Sequence, residues 1–169
     1  MIVLGIDPGT ADTGYGLVES KGCRLRALGF GVIQTRPGPA LERRLVEIHA
    51  RIAELLDEHE PAAVAVEELY FGTNVRTAFA VGQARGVIML AAGQHGTPAR
   101  SYTPQQVKSA VCGSGRAGKD QVARMVARLL GLATAPASDH AADALAVAIC
   151  ELNRGPLDRA VAAAIGAHA

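Results

Sequence analysis

Three acidic residues interrupt apolar runs: Asp7 in Val-Leu-Gly-Ile-Asp, Glu67 in Ala-Val-Ala-Val-Glu and Asp143 in His-Ala-Ala-Asp-Ala-Leu-Ala-Val. An ionised carboxylate in such surroundings is costly unless something compensates its charge. A bound cation is the simplest compensation. Ion pairing with arginine is the alternative, and composition and spacing leave both open. If the segments ending at Asp7 and Glu67 are neighbouring strands, roughly 5 Å apart, both carboxylates emerge at one edge and repel each other without a metal. Asp143 follows His140 by three residues and Asp139 by four, so one helix can present further ligands toward the same point. An oxygen-rich set with a single imidazole suits Mg2+ or Mn2+ rather than a structural zinc. The remaining acids lie mostly among polar residues and read as solvated helix surface.

The elements that would position these groups follow from punctuation and periodicity. Met1 to Ile6 is an apolar run halted by Asp7-Pro8-Gly9-Thr10, which predicts a buried strand with Asp7 at its carboxyl end. Thr13 to Glu19 and Leu25 to Thr35, linked by Ser20-Lys21-Gly22, predict an antiparallel meander with that strand. Leu41, Leu45, Ile48, Ile52 and Leu55 recur at three and four between Ala40 and Glu60, an amphipathic helix stopped by Pro61. Ala62 to Val66 reads as a second buried strand closing on Glu67. A helix over Thr77 to Gln94 follows, with a small-residue face of Ala80, Gly82, Ala84, Gly86 and Ala91. Then come a strand near Ala99 to Thr103, a helix from Pro104 to about Val111 and a glycine-rich loop, Gly113 to Gly118. The last two helices cover Asp120 to Leu132 and, with Ser138 as N-cap, a stretch to about Leu152. This order predicts an α/β domain over residues 1–152, a mixed five-stranded sheet with helices on both faces. Residues 153–169 are expected to form a short C-terminal tail, partly ordered at best.

Composition narrows the function classes. Among 169 residues, 17 Lys plus Arg against 16 Asp plus Glu leave a formal charge of +1, so any nucleic-acid contact must come from a local patch. No apolar stretch approaches the roughly 18 residues of a spanning helix, and no basic leader precedes the first apolar run. Cys23, Cys112 and Cys150 are odd in number and far apart, which argues against a disulfide framework or zinc site. The expectation is a cytoplasmic protein without membrane contact.

Five segments, taken together, resemble the RuvC family of bacterial Holliday junction resolvases. They are Gly5-Ile6-Asp7-Pro8-Gly9-Thr10 with Thr13-Gly14-Tyr15-Gly16, Val66-Glu67, Gly82-Gln83-Ala84-Arg85-Gly86, Gln106-Val107-Lys108, and His140-Ala141-Ala142-Asp143-Ala144-Leu145-Ala146. They occur in the family's order at matching separations, and the match runs to about Leu152. The resemblance implies a ribonuclease-H-like fold and a homodimer. It also implies a divalent-metal-dependent endodeoxyribonuclease that cuts two strands of like polarity symmetrically across a four-way junction, in recombination and repair. The family's four catalytic and metal-binding positions fall on Asp7, Glu67, His140 and Asp143. Many members carry Asp where this chain has His140, and some resemble it in using His. Loss of one negative charge favours softer ions, so Mn2+ is expected to serve at least as well as Mg2+, with two ions per site. His140 is left open as metal ligand or general base. Asp139 points about 100° away from it on a helix and is a supporting candidate behind the ligands.

The same resemblance implies DNA contacts. Lys108 and Lys119, two of only three lysines, match basic positions near the scissile phosphates. Arg76 and Arg116 extend a possible phosphate-tracking strip. Tyr70 and Phe71 match an aromatic position that stacks on an opened base, with core burial as the alternative for Phe71. The Thr77 to Gln94 helix is the candidate dimer interface, and the branch-migration proteins RuvA and RuvB are implied partners. Rival readings are a YqgF-like nuclease of the same fold acting on RNA, and a non-catalytic junction-binding protein. Gly113-Ser114-Gly115-Arg116-Ala117-Gly118-Lys119 satisfies half of a P-loop, but Asp120 stands where Ser or Thr is required and a helix, not a strand, precedes it. An actin-like ATPase needs two such lobes, and the length supplies one.

Overall fold

The computed structural model describes residues 1–36, 38–68 and 75–166; side chains at 75–77 and 156–166 lie outside the description. Strand β1 (Ile2–Asp7) is a central strand, and its run of apolar residues is what burial on both faces requires. It pairs antiparallel with β2 (Asp12–Lys21), which pairs antiparallel with β3 (Arg24–Gln34). The hairpin turns at Gly22-Cys23, slightly later than the sequence predicts, with Gly22 at φ 59°, a left-handed value that glycine adopts without steric cost.

Helix α1 (Leu41–His59) buries Ile48, Ile52, Leu55 and Leu56 on the predicted stripe. Strand β4 (Ala63–Glu67) then returns parallel to β1, and after helix α2 (Val75–Gln94) the edge strand β5 (Ala99–Tyr102) lies parallel to β4. The sheet order is β3-β2-β1-β4-β5, a mixed five-stranded sheet. Helix α3 (Pro104–Cys112) opens on a capping box between Thr103 and Gln106, with proline in its first turn. Helix α4 (Lys119–Leu130) stops two residues before the predicted Leu132 because Gly131 adopts the left-handed conformation at φ 66°.

Helix α5 (Asp139–Gly166) corrects one sequence expectation, since it continues past Leu152 to Gly166. Pro156 removes one intrahelical hydrogen bond. The residues beyond it, rich in alanine, have high helix propensity and carry the backbone onward.

Side chains alternate along each strand, and this sorts the core into two layers. Leu4, Ile6, Val64 and Val66 pack with α1 and α2 on one face. Val3, Ala65 and Tyr102 pack on the other with α3, α4 and α5. Gly5 and Asp7 in β1, Glu67 in β4 and Arg100 in β5 therefore face α5. Two glycines let that helix sit against bare backbone: a Cβ on Gly5 would run into the carbonyl of Ala144, and one on Gly14 into that of His140. Full burial of Val3, Leu4 and Ile6 contributes roughly 1.5–3 kcal/mol each to holding the central strand in place. No helix among the described residues is long and apolar enough to cross a membrane.

Candidate active site

Asp7 ends β1 because the chain must turn at Pro8-Gly9, and that turn is fastened from two sides. The buried Thr13 hydroxyl donates to the Gly9 carbonyl at 2.5 Å. Arg44 of α1 reaches across, donating from Nη2 to the Thr10 carbonyl at 2.7 Å and from Nε to Thr35 Oγ1 at 2.8 Å. Glu67 ends the adjacent parallel strand, since Ile6 registers with Val66. The sheet thus delivers two carboxylates side by side, at the edge the sequence predicted.

The first turn of α5 supplies the rest. His140 Nδ1 lies 2.6 Å from Asp7 Oδ2, and Asp143 is on the next turn. Asp7, Glu67, His140 and Asp143 line one cavity of about 370 Å³ with Lys108, Lys119, Pro104, Val107 and Val122. Burial, together with the neighbouring charges of Asp7 and Asp143, pushes the Glu67 carboxyl up to about 8. Burial, then the Asp7 charge, also raises Asp143. The Lys119 ammonium stands 3.9 Å from Asp143 and 3.8 Å from Asp139, a partial answer to that negative charge.

These observations test the fit to a divalent ion. Three clustered carboxylates and one imidazole form a hard donor set, and burial, with the Asp7 and Asp143 charges added to it, raises the proton affinity of Glu67. No group of three or more His, Cys, Asp or Glu side chains among the described residues stands in metal-holding geometry. Asp7 instead meets the His140 ring, Asp143 lies 3.9 Å from the Lys119 ammonium, and Glu67 shares a hydrogen bond with Asp7. The residues present fit the ion in kind and place.

The other sequence candidates separate clearly. Lys108 and Lys119 reach the cavity. Asp139 is exposed and does not itself line the cavity, but pairs with Lys119, which does. Arg116 is exposed on the 113–118 loop, where its backbone N–H donates to Ser114 Oγ, and it does not line the cavity. Arg76 belongs to the first turn of α2, with its side chain outside the description, and Tyr70 and Phe71 fall outside the described residues. The P-loop-like segment joins helix α3 to helix α4, not a strand to a helix, which removes the nucleotide-binding reading.

Residues 3–151 match the sequence model of the family described as "Crossover junction endodeoxyribonuclease RuvC". The chain belongs to the RuvC family. A RuvC of Moorella thermoacetica is 54% identical over 156 residues, covering 92% of this chain and 93% of the relative. RuvC of Thermus thermophilus, solved in complex with a Holliday junction substrate, superposes with a TM-score of 0.89 at 42% identity, covering 94% of this chain and 96% of that one. The yeast mitochondrial Holliday junction resolvase Ydc2 shares the fold at a TM-score of 0.64 with only 13% identity. The ribonuclease-H-like architecture implied by the sequence is thus the architecture of the chain.

Proposed function

We propose that this RuvC-family chain is a divalent-metal-dependent endodeoxyribonuclease. It resolves four-way DNA junctions by symmetric hydrolysis in two strands of like polarity, in recombination and repair. The observation that carries the reading is the convergence of Asp7, Glu67, His140 and Asp143, from two strands and one helix, on one cavity with two lysines. Supporting it, the RuvC relatives are named for that activity, and one was solved on a Holliday junction.

Asp7, on the rigid central strand and fastened by Thr13 and Arg44, would hold divalent ions, Mg2+ or Mn2+ and two per site by the family resemblance, together with Glu67 and Asp143. Such ions would supply an activated water and charge stabilisation for the leaving 3′ oxygen. With its Nδ1 2.6 Å from Asp7 Oδ2, His140 has Nε2 left to serve either as ligand or as acceptor of a proton from water. Lys108 and Lys119 hold the scissile phosphate, with Lys119 released from Asp143 for that task. Arg76 and Arg116 track the DNA backbone farther out, and Tyr70 and Phe71 meet an opened base.

A two-fold junction calls for a two-fold protein with two equivalent centres. The α2 face supports a homodimer, because Phe79, Met89 and Leu90 are large apolar residues left 69%, 37% and 55% exposed. RuvA and RuvB are the partners that supply branch migration, and the cytoplasm is the setting.

The deciding experiment incubates the protein with a synthetic mobile four-way junction in Mg2+ or Mn2+, with linear duplex and an RNA–DNA hybrid as controls. Paired, symmetric, religatable nicks in the junction are expected, with Mn2+ at least as effective as Mg2+. Preferential cutting of the hybrid would transfer the assignment to a ribonuclease.

A further inference from the structure

Glu151 lies in α5 two turns beyond Asp143, about 12 Å along the helix, and its side chain is fully buried. It is not solvated and does not line the cavity. One carboxylate oxygen accepts from the Tyr102 hydroxyl at 2.5 Å and the other from Arg100 Nη1 at 2.6 Å. Gly155, one turn farther on, leaves the space this carboxylate occupies; a Cβ there would collide with it. Such a buried pair contributes little net stability compared with well-packed apolar side chains. What it adds is direction, because hydrogen bonds fix orientation where apolar contacts do not.

The direction concerns the cavity. Tyr102 registers with Glu67 across β4 and β5, and its carbonyl accepts from the Glu68 N–H at 2.8 Å. Arg100 registers with Ala65 one row below. Tyr102 also precedes Thr103, the cap of α3, which carries Val107 and Lys108 to the cavity. On the β1–β2 side, α5 is seated on bare backbone at Gly5 and Gly14. On the other side β5 is a four-residue edge strand, held to α5 at Arg100 and Tyr102 through Glu151.

We propose that Glu151, acting through Tyr102 and Arg100, is a positioning residue. It sets the separation between the strand bearing Glu67 and the helix bearing His140 and Asp143, and thereby the affinity of the cavity for divalent ions. This rests on the metal-dependent reading above.

The test is calorimetric titration of the full chain with Mn2+, at a temperature where circular dichroism shows wild type and variants fully folded. Tyr102→Phe deletes one hydroxyl and no carbon. It is expected to weaken Mn2+ binding about tenfold and to lower kcat on a junction while leaving KM unchanged. Glu151→Gln keeps an acceptor for Tyr102 and should weaken binding less; it also serves if Tyr102→Phe does not fold. A variant with a lowered Tm but wild-type Mn2+ affinity has lost only a structural contact, and that result overturns the inference alone. A wild-type chain that takes up no Mn2+ overturns the functional reading and this inference with it.

Discussion

Two groups of carboxylates sit on the same face of the sheet, and the protein treats them oppositely. Glu151 is fully buried, yet both of its oxygens are engaged by Tyr102 and Arg100. Asp7, Glu67 and Asp143 are more open, yet among the described residues no arginine lines their cavity; the Lys119 ammonium lies 3.9 Å from Asp143 and the His140 ring 2.6 Å from Asp7. Burial alone therefore does not set an acid's surroundings. What distinguishes the cavity is three carboxylates gathered together, where Glu151 is met singly by a guanidinium and a hydroxyl. On the reading proposed above, the paired acid holds a geometry and the clustered acids attract cations.

The sharpest way to break this contrast is Asp7→Asn. It removes charge from the clustered group, so cleavage should fall by several kcal/mol of transition-state stabilisation, about a thousandfold or more. Junction affinity should stay close to wild type and metal-free stability should not decrease. Gel-shift, cleavage and urea unfolding measurements together check it, and equal loss of binding and cutting would reject the catalytic role of Asp7.

Glu151→Ala should behave in the reverse sense. Removing one partner of a buried pair destabilises by about 3–5 kcal/mol, visible as a lower urea midpoint in the absence of metal. A neutral outcome would mean that Arg100 and Tyr102 find water or other partners without strain.

The smallest effect concerns pH. Glu67 titrates near 8 in the folded chain against a usual 4.5, so the folded state binds the proton more tightly than the unfolded one. Stability of the metal-free protein is then fully present below about pH 4.5 and declines as pH rises toward 8, by up to a few kcal/mol. Asp143 adds to the same trend, since its carboxyl is also raised. Glu67→Gln should flatten most of that slope in EDTA. A wild-type stability that rises between pH 5 and 8 would show that burial and the neighbouring carboxylates do not raise Glu67 in the folded chain.

Much of this was legible in the sequence because it is written in local terms. The apolar runs ending at Asp7 and Glu67, the three-residue step from His140 to Asp143 and the glycine-proline punctuation each report on a neighbourhood of a few residues. Glu151 carries the same local sign, an acid inside Ala-Ile-Cys-Glu-Leu, and it escaped notice because its partners are some fifty residues away on an edge strand. Arg44 was equally opaque: on a helix surface it reads as solvated, and only the fold brings it to Thr10 and Thr35. The continuation of α5 beyond Pro156 was missed for a different reason. A single proline signals a stop locally, while the favourable residues after it make themselves felt only as a sum. Within the cavity, the sequence supplied the residues that gather there but not their present contacts, in which His140 Nδ1 meets Asp7 and Lys119 leans on Asp143.

The contact of α5 with Gly14 explains why aspartate and histidine are long enough. A helix resting on ordinary side chains would stand off from the strand, and longer, floppier arms would have to span the gap. Here the main chains nearly touch, so a carboxylate one carbon from its Cα on Asp7 already meets the ring of His140. Short arms have few rotamers to surrender. The aim of these side chains is thereby inherited from the backbone, and if they take up an ion as proposed, little of its binding energy need be spent on freezing side-chain motion.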